Sequence, residues 1–333
     1  MGKFLLRRVA YLITLVLAAT VIAYLLAATQ LNPRSKYEGR NPPPPVSVVD
    51  QQLDSVNMND KKPVTERFVR WAKGVAHGDL GKTIDGGSVN DEMGRRMWVS
   101  LRLMLIGSIL GTLLGVLAGA YGAIKQYRWS DYTLTVMSFL LLSIPTVVLA
   151  VVIKNGGVWF NNATGHTKNQ IFYTTGEYQP GMNSWTSLSD LTDRFQHLIL
   201  PTIVLTIGVN GFAFYSRYQR NAMLDVLGSD FLRTAQAKGL RRSQALVKHA
   251  LRTALIPMAT FFAYQFALLF VGATFTEKIF GWHGMGEYFV DSITKNDVNA
   301  TAGVTLFVAV LVLLAGLLSD IVYAALDPRV RTS

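Results

Sequence analysis

Residues 103–124 read LMLIGSILGTLLGVLAGAYGAI and contain no Asp, Glu, Lys or Arg. As an α-helix rising about 1.5 Å per residue, such a run spans a hydrocarbon core about 30 Å thick. Five further stretches of similar length also lack charged residues: 9–29, 132–153, 198–215, 255–276 and 298–319. Lipid-exposed segments must satisfy their own backbone hydrogen bonds, and no alternating strand pattern is present. The sequence therefore predicts an all-α integral membrane protein with six transmembrane helices.

The overall composition favours the same class. Half of the 333 residues are hydrophobic and only 16% are charged, which is too few to cover a soluble globule of this length. The absence of cysteine excludes disulfides, thiolate metal sites and a lipid-modified cysteine. The five histidines have no metal-ligand spacing, so no metal site is predicted. The first stretch is too long for a signal peptide and lacks a clean A-x-A site, which favours an uncleaved anchor.

The distribution of the net charge of +11 predicts the topology. Residues 217–252 contain eight Lys or Arg and only two Asp, and cytoplasmic loops are enriched in basic residues. This loop and both termini are therefore predicted to be cytoplasmic, and no nucleic acid partner is expected. Three arginines that flank the second helix on the predicted outer side depart from the rule: Arg95, Arg96 and Arg102.

The predicted outer segments differ in pattern. The prolines at 42–45 favour extended chain. Four apolar residues then recur at helical spacing after Thr65, a candidate N-cap: Phe68, Trp71, Ala72 and Val75. They predict an amphipathic helix that lies either on the outer membrane surface or against the rest of the protein. Residues 155–196 show no periodicity and are predicted to be a loop.

Prolines and glycines inside the spans predict local features. Pro145 removes a backbone donor in mid-span and should bend its helix, either for gating or simply as architecture. Glycines recur every four residues on one face of the second helix, which predicts a close helix interface within or between subunits: Gly107, Gly111, Gly115 and Gly119.

Polar groups inside the spans are few. Asn210, Tyr264 and Gln265 are candidates for lining a pathway or for bonding helix to helix. The spans contain no Asp, Glu, Lys or Arg, which argues against an ion-coupled carrier that works alone. The sequence also lacks a G-x-x-x-x-G-K-[ST] loop, so energy from ATP would have to come through a partner.

The basic loop has the caps of a short helix. Ser229 and Asp230 are good N-caps for a helix through Lys238, and Gly239 is a typical stop. A second helix is predicted from near Ser243 towards the fifth span. The short helix either contacts a partner or is an ordinary loop helix.

Four motifs carry a resemblance to a known family. Residues 231–240 (FLRTAQAKGL) resemble the EAA-type loop of bacterial binding-protein-dependent ABC importers, in the version found in dipeptide and oligopeptide permeases. Residues 78–83 (GDLGKT) resemble its G-D-L-G-x-S element. Residues 276–286 (TEKIFGWHGMG) resemble E-x-I-F-x-W-P-G-x-G with His283 in place of proline, and 320–329 (DIVYAALDPR) match D-x-x-Y-x-x-x-D-P-R. Residues 31–34 (LNPR) depart from the family's P-G-D-P, so the outer entrance is expected to differ from the family's.

The resemblance implies an ABC type I importer permease fold with a cytoplasmic coupling helix, in the cytoplasmic (inner) membrane of a bacterium. The implied segments are a first helix (1–29), an extracytoplasmic segment (30–98), an importer transmembrane domain (99–326) that includes the coupling loop (217–254), and a cytoplasmic tail (327–333). The implied function is that of a channel-forming, non-catalytic subunit that imports oligopeptides or dipeptides. Nickel complexes, glutathione or oligosaccharides are alternative solutes, and a stand-alone channel or carrier is an alternative from another class.

The resemblance also implies partners and site residues. The partners are a second homologous permease, two ATP-binding subunits that hold ATP and Mg, and an extracytoplasmic substrate-binding protein, with no cofactor on this chain. The implied contact with the ATPases comprises Phe231, Arg233, Ala235, Lys238, Gly239 and Leu240. The implied outer-loop motif comprises Phe280, Gly281, Trp282, Gly284 and Gly286.

Overall fold

The computed structural model describes residues 2–38, 41–182, 187–208 and 211–326, with the backbone alone along 2–9, 259–260, 263–269, 271–272 and 323–326. Most of the described residues are helical. The helices are α1 (Gly2–Gln30), α2 (Val46–Ser55), α3 (Val64–Ala76), α4 (Val89–Ile124), α5 (Trp129–Ser143), α6 (Thr146–Ala163), α7 (Leu188–Ile207), α8 (Phe212–Leu227), α9 (Asp230–Ala237), α10 (Arg242–Ala245), α11 (Arg252–Ala254), α12 (Ile256–Phe280), α13 (Met285–Thr294) and α14 (Val298–Leu326), with a 3₁₀ turn at Pro33–Lys36 and a π-helical stretch at Leu246–Leu251.

The helices coincide with the six charge-free stretches. Within the described residues, four helical stretches are long and apolar enough to cross a membrane, in α1, in α4, in α7 with α8, and in α14. A fifth is added if α5 and α6 together form one span. The 25-residue α12 covers the remaining stretch, 255–276. The all-α membrane fold is confirmed, whereas the count of six spans stays a prediction.

The predicted bend at Pro145 is a complete break. The axes of α5 and α6 differ by 107°. Ile144 is extended (φ −90°, ψ 119°), as expected for a residue before proline, and α6 begins directly after Pro145. The proline therefore divides the third charge-free stretch into two helices.

The described chain forms two compact units. The first comprises Met1–Ser100 and His283–Leu313, and the second comprises Leu101–Trp282 and Leu314–Ser333. The predicted domain boundaries stay predictions, and the tail 327–333 lies outside the described residues.

The core of the first unit is aromatic. Trp71 of α3 stacks on Tyr24 of α1 with ring centroids 4.8 Å apart, and Phe68 meets Tyr24 edge-on at 5.5 Å. The apolar face of α3 is thus packed against α1, which decides between the two alternatives for this helix. Thr65 as N-cap is wrong, because α3 already begins at Val64 after Pro63.

The glycine stripe lies inside the second unit. A Cβ on Gly107 would lie 2.7 Å from Cβ of Leu205, and one on Gly119 would lie 2.3 Å from the carbonyl oxygen of Ser216. The stripe therefore lets α4 approach α7 and α8 closely, so this interface is within the subunit.

The predicted loop at 155–196 is shorter than expected, because α6 continues to Ala163 and α7 begins at Leu188. Asn161 holds the loop to the end of α6. Its Nδ2 donates to the Phe172 carbonyl at 2.7 Å, and its Oδ1 accepts the N–H groups of Ile171 and Phe172. Because residues 155–163 lack periodicity, the sequence did not predict this end of α6, where the Asn161 side chain holds the following chain.

Candidate functional site

The short helix in the basic loop is confirmed as α9. It begins after Ser229, as predicted, although the Ser229 hydroxyl donates to the Val226 carbonyl and makes no cap bond. Its last turn ends at Lys238, and Gly239 follows with φ +90°. A Cβ at Gly239 would meet nothing within 4 Å, so the backbone conformation, and not space, requires glycine there. The following helix begins at Arg242, one residue before the predicted start.

The six residues assigned to the ATPase contact fall into two groups. Phe231 is 45% exposed, and Arg233, Lys238 and Gly239 are also exposed. Ala235 and Leu240 instead pack against a buried cluster below the helix. The contact can therefore present an apolar ring with cations beside it, while two of its residues hold the helix in place.

The buried cluster beneath α9 was missed by sequence reasoning. The cluster contains Leu232 of α9, Met223 of α8 and Ala123 at the end of α4. The π-helical stretch adds Leu246 and Ala250. The apolar spacing of Leu232 and Ala235 is a signal that could have identified this inner face.

The outer-loop motif begins as a buried helix end in the second unit. Phe280 and Trp282 are each only 1% exposed. Between them, Gly281 has φ +62°, and the Trp282 N–H donates to the Glu277 carbonyl at 2.8 Å. The Phe280 carbonyl accepts the N–H of Gly176 at 2.8 Å. This part of the motif closes α12 and holds the preceding loop.

Arg102 stabilises that helix end. Its guanidinium lies 5.3 Å from the ring centroid of Trp282, and it pairs with Glu177 at 2.7 Å. Arg102 departed from the positive-inside rule, and its pairing with a carboxylate offers a local reason why the charge is tolerated.

The remaining motif residues lie at the start of α13 in the first unit. Gly284 precedes the first residue of α13, and Gly286 is buried in its first turn. The Met285 N–H between them donates to the Ser100 hydroxyl at 2.7 Å. His283, in place of proline, lies 2.8 Å from a carboxylate oxygen of Glu287 one turn later. At the position where the family pattern has proline, the contact between His283 and Glu287 thus constrains the chain.

The three pathway candidates stay predictions. Asn210 lies outside the described residues, and Tyr264 and Gln265 lie on α12 where only the backbone is described. A cavity of about 370 Å³ lies in the second unit among α4, α12 and α14. Thr112 and Ser319 are the polar residues among its otherwise apolar lining.

The described residues contain no group of three or more His, Asp or Glu side chains that could hold a metal ion. The main feature of the site is a short exposed helix, α9, which a buried apolar cluster joins to α4 and α8.

Comparison with known proteins identifies related chains. A family model for the binding-protein-dependent transport system inner membrane component matches residues 111–332. The oligopeptide transport system permease protein OppB of Mycobacterium tuberculosis is 49% identical over 335 residues, covering 100% of both chains. AppB, an oligopeptide permease of Bacillus subtilis, is 31% identical and covers 99% of this chain and all of its own. The dipeptide permease DppB of Escherichia coli K12 is 31% identical, covering 81% of this chain and 82% of its own.

A solved structure shows the same fold. A chain of the MetNI methionine ABC transporter, in an inward-facing conformation, superposes with a TM-score of 0.51 at 15% identity. The match covers 71% of this chain and 96% of that chain. At this identity the likeness concerns the fold alone.

Proposed function

Because this chain belongs to the family of binding-protein-dependent transport system inner membrane components, we propose that it is a channel-forming permease subunit that imports oligopeptides or dipeptides. It is a multi-pass protein of the cytoplasmic (inner) membrane. The named relatives are peptide permeases, and the full-length identity of 49% supports the same substrate class.

The energy for import comes from partner subunits. The charge-free stretches lack the ionisable groups on which ion-coupled carriers depend, and the chain has no phosphate-binding G-x-x-x-x-G-K-[ST] loop. Two ATP-binding subunits therefore hold ATP and Mg, and this chain is not itself catalytic. A second homologous permease completes the pathway, and an extracytoplasmic binding protein delivers the peptide.

The observation that carries this proposal is the exposed face of α9. Phe231 is a large apolar side chain on a helix of only eight residues, with Arg233 and Lys238 exposed beside it. Such a face suits a groove with an apolar floor and an acidic rim. Closure of the ATPases on ATP moves α9 and shifts the permease towards an outward-open state, for which the closed ATPases must have the higher affinity.

The test is reconstitution of the purified complex. The chain is copurified with its partners, placed in liposomes and assayed for ATP hydrolysis and for uptake of labelled peptides. We expect Phe231→Ala to lower ATP-dependent uptake about tenfold, as for the loss of about 1.4 kcal/mol at a contact. Phe195→Ala, which removes an exposed phenylalanine from α7, is the matched control and should leave uptake unchanged.

Two outcomes contradict the proposal. Peptide uptake by this chain alone, without ATP, would indicate an independent carrier. ATP-dependent uptake of a nickel complex, glutathione or an oligosaccharide, with none of peptides, would retain the importer and replace its substrate.

A further inference from the structure

Three side-chain contacts fasten α5 to α8 in the second unit. Near the start of α5, Asp131 accepts hydrogen bonds from Nε and Nη2 of Arg220 at 2.6 and 2.8 Å. Farther along, the hydroxyls of Ser138 and Ser216 lie 2.7 Å apart. The Arg217 guanidinium lies 4.0 Å from the ring centroid of the neighbouring Phe139. The contacts are spread along both helices, so they resist sliding as well as separation.

The Asp131–Arg220 pair is the strongest of these contacts. The Asp131 side chain is 4% exposed, and it also accepts the backbone N–H of Tyr127 at 3.0 Å. A two-point bond between a guanidinium and a carboxylate fixes orientation as well as distance. Removing either partner would leave the other charge poorly compensated in a buried place, so the pair holds the two helices firmly.

α8 also packs against α9. Met223 near the end of α8 and Leu232 of α9 belong to the same buried cluster. α8 also lies against the glycine face of α4, where the Ser216 carbonyl leaves no room for a side chain at Gly119. A displacement of α9 therefore has to move α8, because the buried cluster joins the two helices.

If α5 moves together with α8, the displacement reaches the far end of α5, where it can change the transport pathway. α5 stops at Ser143, and α6 leaves at 107° beyond Pro145. Proline interrupts the helical hydrogen bonds, so the angle at this break can change without breaking a regular helix.

We propose that Asp131 and Arg220 are positioning residues that transmit the movement of α9 through α8 to α5, and thereby to the break at Pro145. This inference rests on the proposed function, because it concerns the coupling of ATP hydrolysis to transport. Such a role requires no contact of either residue with peptide or nucleotide. Their role is to make α5 follow the ATPases.

The first test is the ratio of ATP hydrolysed to peptide imported by the reconstituted complex. Asp131→Asn keeps the shape of the side chain and removes its charge. We expect the ratio to rise about fivefold or more, the lower end of a typical coupling between two sites. Arg220→Lys keeps the charge without the two-point bond and should give a smaller rise. An unchanged ratio in assembled Asp131→Asn complex would overturn the proposal.

The second test joins α5 to α8 by a covalent bond in place of the contact between Ser138 and Ser216. The chain has no cysteine, so Ser138→Cys with Ser216→Cys introduces the only two thiols of this subunit. The two hydroxyl oxygens are 2.7 Å apart, which suits a disulfide between α5 and α8. Copper phenanthroline accepts the two electrons as the thiols form the disulfide, and dithiothreitol reverses the reaction.

The oxidised cysteine pair should import peptide as well as the reduced pair does. In the Asp131→Asn background, oxidation should restore the ratio towards its original value and reduction should abolish that rescue. Loss of import on oxidation in the otherwise unchanged chain would show that α5 and α8 must separate, and would overturn the proposal even if Asp131→Asn does not assemble. Absence of ATP-dependent import by the unmodified complex would overturn the proposed function instead.

Discussion

The contact of α1 with α3 in the first unit and that of α4 with α8 in the second are packed by opposite means. In the first unit, large aromatic side chains fill the core, with Trp71 stacked on Tyr24. In the second, α4 presents glycines so that backbone meets backbone at Gly119. The ion pairs Lys36–Asp85 and Asp131–Arg220 also differ, since the Asp85 side chain is 58% exposed and the Asp131 side chain is 4% exposed. The α1–α3 contact should therefore be sensitive to lost side-chain volume and the α4–α8 contact to added volume.

The largest effect is expected from emptying the aromatic core. Trp71→Ala removes the stacking on Tyr24 and the hydrogen bond from Nε1 to the Leu80 carbonyl. We expect a loss of about 3–5 kcal/mol in the free energy of unfolding of the purified protein in detergent. Val69→Ala, on the exposed side of the same helix, should change it by less than about 0.5 kcal/mol. A similar loss in both variants would contradict the expected dependence of the α1–α3 contact on buried side-chain volume.

A smaller effect is expected from adding one methyl group to the second unit. Gly119→Ala places a Cβ 2.3 Å from the Ser216 carbonyl oxygen, and backbone cannot turn away as a flexible side chain could. We expect a loss of about 1–3 kcal/mol. The control is Gly94→Ala on the same helix, where a Cβ meets nothing within 4 Å. Its alanine should be neutral or stabilising, because glycine is the poorer helix former. Equal melting temperatures of the two variants would contradict the expected crowding.

Local signals in the sequence were enough for many of the helices, although not for α2, α13 or the parts of α6 and α7 that lie within 155–196. Charge-free stretches predicted where the membrane helices lie, Pro145 predicted the break, and the caps around Ser229 and Gly239 predicted α9 to within a residue. Each of these features depends on neighbouring residues along the chain. Where several residues competed for one role, the sequence was less informative, as when Pro63 replaced Thr65 at the start of α3.

The associations between distant segments could not be predicted. Nothing in the local pattern pairs Asp131 with Arg220, or joins residues near position 290 with the first hundred residues in one unit. For the same reason, the sequence could not decide whether the glycine stripe faces this subunit or another. Within the candidate site, it did not separate the exposed Phe231 from Leu232, which holds α9 in place.

Gly239 differs both from Gly119, which is crowded, and from Gly94, which has open space. Here a side chain would have enough space, because no atom lies within 4 Å of a Cβ. The backbone conformation is unfavourable for it, because φ is +90°. We expect Gly239→Ala to cost about 1 kcal/mol and Gly239→Asn to cost less, since asparagine tolerates the left-handed region better. Thermal unfolding of the two variants provides the measurement. An asparagine as costly as the alanine would mean that the left-handed backbone conformation is not the reason for glycine at this position.

The smallest effect concerns the exposed ion pair of the first unit. The Lys36 ammonium lies 2.8 Å from a carboxylate oxygen of Asp85, and this hydrogen bond holds the pKa of Asp85 below its ordinary value of 3.8. The folded state therefore binds the proton of Asp85 less readily than the unfolded state does. The resulting stability is fully present above pH 3.8 and is lost as the pH falls through the lowered pKa.

Comparison of the unmodified protein with Lys36→Met isolates this contribution, which should stay below about 1 kcal/mol because the pair is exposed. The difference in unfolding free energy should be constant above pH 3.8 and shrink below it. In an Asp85→Asn background the same difference should not depend on pH. The bond from Lys36 to the Ile84 carbonyl then accounts for what remains, since a carbonyl does not titrate. A difference that persists undiminished in acid would show that Lys36 acts through that carbonyl alone, and that its ion pair with Asp85 adds nothing to the stability of the first unit.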